Sequence, residues 1–161
     1  MPVIELETHI QAAIDVVFDL SRSIDLHTES TASTNERAIE GRTSGLIEAD
    51  ETVTWEATHF GVRQRLTSKI TAFDRPRHFR DSMIKGVFAK IEHDHFFEET
   101  AADETRMTDR FEYASPLGFL GKIADWLFLE RYLTRFLRER NALIKQIAES
   151  RDHARYLTDA Q

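Results

Sequence analysis

The feature that most constrains this chain is the stretch from Glu51 to Tyr113, where segments with strand composition follow one another across short turn signals. Glu51–Phe60 and Val62–Phe73 are rich in Thr, Val, Trp and Ile and meet at Phe60-Gly61, where glycine supplies the positive φ of a two-residue hairpin turn. Asp74-Arg75-Pro76 ends the second of these segments. Arg77–Ile84 and Val87–Thr100 then flank a turn at Lys85-Gly86, and a turn at Ala101–Glu104 leads into Thr105–Tyr113. Connections this short join antiparallel neighbours, so most of the chain is predicted to be one antiparallel sheet.

The flanks complete the pattern. Val3–Ile10 alternates, with Ile4, Leu6 and Thr8 on one parity and Glu5, Glu7 and His9 on the other, which predicts a first strand. Ala13, Val16, Val17, Leu20 and Ile24 then recur at helical spacing, with a break near Ser21–Ser23 that predicts one helix or two short ones. Asn35–Gly41 reads as another strand. Gly41-Arg42-Thr43-Ser44-Gly45 reads as a loop; it fits neither a P-loop nor a dinucleotide fingerprint. Ser115-Pro116 is a helix start. The apolar stripe of Leu120, Ile123, Ala124, Leu127, Leu133, Phe136, Leu137, Leu143, Ile144 and Ile147 follows it. About 30 helical residues would make a rod of about 45 Å. The residues from Asp152 onward are mostly polar and are expected to fray. Seven strands, two short helices after the first and a long final helix specify an α+β class, an antiparallel sheet covered on one face by helices. With 161 residues and 41% hydrophobic content, one core is expected: a single domain over residues 1–150 and a polar tail over 151–161.

Composition removes several kinds of chemistry. The chain has no cysteine, so disulfides, thiolate nucleophiles and cysteine-held metals are out. A formal charge of -7 opposes binding to nucleic acid. The first residues lack the basic and apolar regions of a secretion signal, and Ala124–Leu129 is too short and too charged to span a bilayer. A cytoplasmic location without stable membrane insertion is the resulting expectation.

Several stretches carry a resemblance. They are Ile14-Asp15-Val16-Val17-Phe18-Asp19-Leu20 after the first strand, Glu51 through Gly61, and Pro76 with Phe79, Asp81 and Met83. His93-Asp94-His95-Phe96-Phe97, Ser115-Pro116-Leu117-Gly118 and Leu120-Gly121 complete the set. In these residues the chain resembles the START-like, or SRPBCC, superfamily, and within it the bacterial polyketide cyclase/dehydrase and lipid-transport relatives. The resemblance implies a helix-grip fold, a curved sheet wrapped around the C-terminal helix to enclose an apolar cavity. It also implies a small hydrophobic ligand, and it does not choose between binders and enzymes.

Strand parity supplies the candidate lining. Ile91, His93, His95 and Phe97 share one face of their strand, and Met107, Asp109, Phe111 and Tyr113 share one face of the next. A constant-sum register that sets Phe97 opposite Met107 also sets His95 opposite Asp109 and His93 opposite Phe111. Trp55 and His59 form a matching row, with Leu66 opposite Trp55 across the hairpin; Trp55 reads as core or as an aromatic wall. These eleven residues are the expected ligand-binding set. His95 as base and Asp109 as its orienting carboxylate are the catalytic pair if the protein is an enzyme, with His59 or His93 holding a carbonyl. The plainer reading is a cross-strand pair that satisfies itself.

His93 and His95 with a carboxylate would also suit a two-His, one-carboxylate metal set, but the spacing is common, and no metal and no cofactor are assigned. Asp81 is left out because a one-residue shift of its strand would turn it to solvent. Ser68 and Ser82 stand in no nucleophile context. On the last helix, Trp126, Phe128, Leu129 and Tyr132 lie outside the main stripe, and covering them by loops, in a homodimer or at a membrane surface remains open. Arg131, Arg135, Arg138 and Arg140 read as a solvated face partly paired with Glu130 and Glu139. The expected function is therefore binding of a small hydrophobic or amphipathic molecule in an internal cavity, for transport or sensing. A polyketide cyclase or dehydratase and an interaction module acting through the last helix are the alternatives.

Overall fold

In a computed structural model, the structure describes residues 1–115 and 128–157. Alternating side chains produce strands β1 (Val3–Ile10), β2 (Arg37–Gly41), β3 (Thr52–His59) and β4 (Val62–Asp74). They likewise produce β5 (His78–Lys85), β6 (Lys90–Ala101) and β7 (Glu104–Ala114). Helices α1 (Ile14–Ser21) and α2 (Ile24–Ser30) follow β1, and α3 (Glu130–Ala148) follows β7. The expected start of the last helix at Ser115-Pro116, and Leu120, Ile123, Ala124, Trp126 and Leu127, fall on or next to residues outside those described.

The seven strands form one antiparallel sheet in the order β1-β7-β6-β5-β4-β3-β2. At the first hairpin, Phe60 and Gly61 both have positive φ (51° and 75°), the geometry whose twist matches paired strands. Its register sets Trp55 opposite Leu66. The β6–β7 register sets Phe97 opposite Met107, His95 opposite Asp109 and His93 opposite Phe111, as the constant sum requires. Irregularities at Ala38/Glu40 in β2, at Thr67/Ser68 and Ile70/Ala72 in β4, and at Glu99/Ala101 in β6 break the ladder locally. Such bulges bend and twist strands, which lets the sheet curl around a helix.

Two strand starts differ from the sequence expectation by more than one residue. β2 begins at Arg37 rather than Asn35, because Asn35 adopts a left-handed conformation (φ 51°) that ends the short turn Ala32–Thr34. β6 begins at Lys90 rather than Val87: the ladder with β7 starts at Lys90 opposite Ala114, and Phe88 packs edge-on to Tyr113. The loop after β2 needs its glycine at position 41. A Cβ there would lie 2.2 Å from the Thr52 carbonyl oxygen, and Arg42 in the same loop is held by Glu51.

Helices cover the concave face. Phe18 of α1 packs edge-to-face on Phe73, Phe79 and Phe97, with centroids 5.2–5.5 Å apart. Ser23 caps α2 by accepting from the Leu26 amide. The inner face of α3 carries Leu133, Leu137, Ile144 and Ile147, a helical repeat that joins both apolar clusters of the interior. The fraying expected from Asp152 is not what residues 152–157 do. Ala154–Leu157 is a helical turn, α4, whose Tyr156 is buried and donates its hydroxyl hydrogen bond to Glu29. Among the described residues no helix is long and apolar enough to cross a membrane.

Candidate functional site: a cavity with histidines on two sides

Where the sheet bends away from α3, a cavity of about 180 Å³ remains. One water needs about 10–15 Å³ by this kind of measure, so the space suits a small organic molecule. Apolar side chains from every layer form its wall, among them Trp55, Leu66, Ile91, Phe111, Leu133 and Phe136. Of the expected ligand-binding residues, Trp55, His59, Leu66, Ile91, His93, His95 and Phe111 reach the wall. Phe97, Met107, Asp109 and Tyr113 do not: they are buried behind it, in contact with helices or neighbouring strands rather than with the cavity.

Three adjacent strands build the polar part of the wall. Asp81 on β5 lies opposite His93 on β6, and His95 on β6 lies opposite Asp109 on β7, so all four share the concave face. Alternate residues face the other way. Asp94, between the histidines, points to the convex side and takes two hydrogen bonds from Arg80 and one from His78.

Asp109 is inaccessible to solvent and sits at the centre of the cluster. His93 Nε2 lies 2.8 Å from its Oδ1 and Asn141 Nδ2 donates to its Oδ2 at 2.6 Å, while Arg140 Nη1 is 3.5 Å from Oδ1. His95 Nδ1 is 3.1 Å from the same Oδ1, yet off the line a hydrogen bond needs. Burial alone would raise the Asp109 carboxyl, but the hydrogen bond from His93 and the charge of the two nearby imidazoles hold it well below the usual carboxylate range. His93 is pushed below the ordinary histidine value by burial and by the neighbouring His95, against the pull of Asp109.

The expected catalytic pairing therefore takes a different form. His95, the expected base, makes its hydrogen bond through Nε2 to Asp81 Oδ2 at 3.1 Å, and the ring hydrogen-bonded to Asp109 is His93. Asp81, set aside on grounds of register, lines the cavity with 27% of its side chain accessible. Burial would raise its carboxyl, and the hydrogen bond from His95 with the nearby charges lowers it. A signal for its direction was in the sequence: Asp81 shares parity with Phe79, which is buried, and with Met83, which packs against an apolar cluster.

Arg140 corrects a second expectation. It is 4% exposed rather than part of a solvated face, and it donates to the Ser21 carbonyl and to Asn141 as well as facing Asp109. Its position explains this, because 140 follows Phe136 by four and Leu137 by three and precedes Ile144 by four, inside the apolar stripe. Arg135, one residue short of that spacing, is exposed and pairs with Glu139.

The β3 side of the cavity carries a second polar group. His59 Nδ1 is 2.6 Å from the Tyr132 hydroxyl. His27 stacks on Trp55 at 4.2 Å between centroids, with Nε2 3.5 Å from Glu36 Oε1. Burial lowers His59 from its ordinary value and raises the Tyr132 hydroxyl. His27 and Glu36 were not legible as site residues, since one closes a short helix and the other precedes an edge strand. Tyr132, counted as surplus helix surface, turns inward, whereas Phe128 is exposed.

No protein-family model matches the chain, and no curated protein matches it in sequence. Solved structures do match in shape. The Zhui aromatase/cyclase from Streptomyces sp. R1128 superposes with a TM-score of 0.74 at 12% identity, covering 92% of this chain and 93% of its own. A START superfamily protein from Mycobacterium smegmatis gives 0.66 at 8% identity, covering 90% and 98%. The protein has the helix-grip fold of these structures. A third helix-grip match, ginseng major latex-like protein 151 from Panax ginseng, gives 0.65 at 17% identity and covers 98% of both chains. At these identities the helix-grip likeness concerns the fold; the chemistry rests on the residues above.

Proposed function

We propose that the protein binds a small hydrophobic or amphipathic molecule carrying at least one oxygen, in the cavity between the sheet and α3. The observation that carries this reading is a mostly apolar cavity bordered on two sides by histidines, whose ring nitrogens can hydrogen-bond a carbonyl or hydroxyl. Trp55, Ile91, Phe111 and Phe136 would hold the apolar body, and His93, His95 and His59 would orient its oxygens. Transport or sensing needs nothing more.

Native mass spectrometry of the freshly purified chain, followed by organic extraction, tests this. The expected result is a stoichiometric adduct that releases an apolar molecule. A bare chain whose melting temperature no fatty acid or aromatic polyketide changes would count against it.

A second reading is a cyclase or dehydratase, favoured by the two histidine rings on the cavity wall with carboxylates within reach. In it His95 takes a proton from the substrate, Asp81 and Asp109 hold the rings, and His93 or His59 polarises a carbonyl. Turnover with a bell-shaped pH–rate profile that disappears in His95→Ala supports this reading; binding without turnover leaves the first.

A further inference from the structure

His93 and His95 are each placed between two carboxylates. His93 Nε2 is 2.8 Å from Asp109 and its Nδ1 is 3.8 Å from Asp81. His95 Nδ1 is 3.1 Å from Asp109 and its Nε2 is 3.1 Å from Asp81. That makes four approaches of ring nitrogen to carboxylate, whereas two neutral imidazoles carry only two N–H protons between them. In at least two of the four, a nitrogen lone pair faces a carboxylate oxygen. Among the described residues His95 Nδ1 has no hydrogen-bond partner, although the ring is 1% exposed. The cluster is short of positive charge: among the described residues Arg140 comes within ion-pair distance of Asp109 and acts on Asp81 only from farther away.

The shortage has a direction. Asp109 accepts from His93 Nε2 and Asn141 on the side away from the cavity. His93 Nδ1, His95 Nε2 and Asp81 Oδ2 then face one another at the cavity wall, and one donor atom from each residue lies within 4.8 Å of the others. Donors about 2.0–2.2 Å from a tetrahedral zinc stand about 3.3–3.6 Å apart, and the distances from Asp81 Oδ2 are 3.1 Å to His95 and 3.8 Å to His93. Metal-bound histidines almost always pass their second ring N–H to a carboxylate or carbonyl, which fixes ring and tautomer. Asp109 is in place to do this for His93, and a small rotation of the ring would let it do the same for His95.

We propose that Asp81, His93 and His95 form a site for a divalent first-row transition-metal ion, zinc being the reference ion, with Asp109 as the outer carboxylate that orients both rings. Two imidazoles and one carboxylate suit such ions. Three protein donors leave at least one coordination position open, and that position faces the cavity, where a water or a ligand oxygen would take it. The inference uses only these side chains and does not depend on which organic molecule the cavity holds.

The test is a titration of the full chain, first stripped with a chelator, with Co²⁺ followed by visible absorbance and then with Zn²⁺ as competitor. One Co²⁺ per chain is expected, with visible bands of low-coordinate cobalt that zinc abolishes. Asp81→Asn and His95→Gln should lose more affinity than the roughly 10–100-fold that removal of an outer partner such as Asp109 costs. His9→Gln, at an exposed histidine, should bind as the parent does. Far-UV circular dichroism and a cooperative unfolding transition identify the folded variants. Asp81→Asn, the mildest change, decides the matter if the Asp109 variant does not fold. A folded parent that binds neither ion at excess metal, or a folded Asp81→Asn and His95→Gln that bind as tightly as the parent, overturns the proposal.

Discussion

On the β6 side of the cavity two histidines meet the carboxylate of Asp81; on the β3 side His27 and His59 border the same space as Glu36. The residue types are nearly the same, and the arrangements are not. On the β6 side a second, fully buried carboxylate stands behind the rings, held by Asn141 and faced by Arg140. On the β3 side His59 is engaged by Tyr132, His27 stacks on Trp55, and the 3.5 Å between His27 and Glu36 lacks hydrogen-bond geometry. Burial would raise Glu36, and the charge of His27 with that of His59 holds it lower. A set of histidines becomes a directed site when their far nitrogens are fixed from behind. Without that, the same residues offer hydrogen bonds to whatever enters.

The comparison can be broken most easily at Asp109. Asp109→Ala removes the buried carboxylate that accepts from His93 and Asn141 and faces Arg140, which should cost about 3–5 kcal/mol of unfolding free energy. Glu36→Gln, which keeps the shape of the side chain and removes no hydrogen bond to His27, should cost clearly less. Urea unfolding of both variants reads the difference, and equal losses would end the distinction between the two sides.

A smaller effect is expected on α3. Arg140→Met keeps the packing of the stem but removes hydrogen bonds made by a buried guanidinium, with an expected loss of about 1.5–3 kcal/mol. Arg135→Ala, on the exposed face, should change stability by less than about 0.5 kcal/mol in the same experiment.

The smallest effect concerns pH. Burial depresses His59, so its folded value lies below its unfolded one. Between the two the unfolded chain binds more protons, and the stability associated with a neutral His59 is complete above about pH 6.5 and is lost as pH falls through the folded value. His59→Asn should therefore flatten the acid-side slope of melting temperature just below pH 6.5. An unchanged slope would mean that His59 is not held neutral by burial.

Much of the fold and part of the cavity wall could be read from the sequence, for reasons that particular residues make plain. The Phe60-Gly61 turn and the constant-sum register of β6 and β7 are local, so the pairing of His95 with Asp109 across the ladder followed from spacing alone. Depth did not follow from it. Met107 and Asp109 share the face of Phe111, but α1 and α3 cover that end of β7, and only contacts across the fold show it. Arg140 was misread because charge was weighed above its place in the apolar stripe. Glu36 and His27 meet where the start of β2 approaches α2, a tertiary approach with no sequence period.

The central claim is that Asp109 fixes the His93 ring from behind and leaves Nδ1 toward the cavity. Long-range proton–nitrogen NMR correlation of the histidine rings, on uniformly labelled and chelator-treated protein near neutral pH, tests it directly. The expected result is His93 in the neutral Nε2–H form, with Nδ1 shifting when zinc is added. A His93 ring in the Nδ1–H form, or one averaging between tautomers, would contradict it.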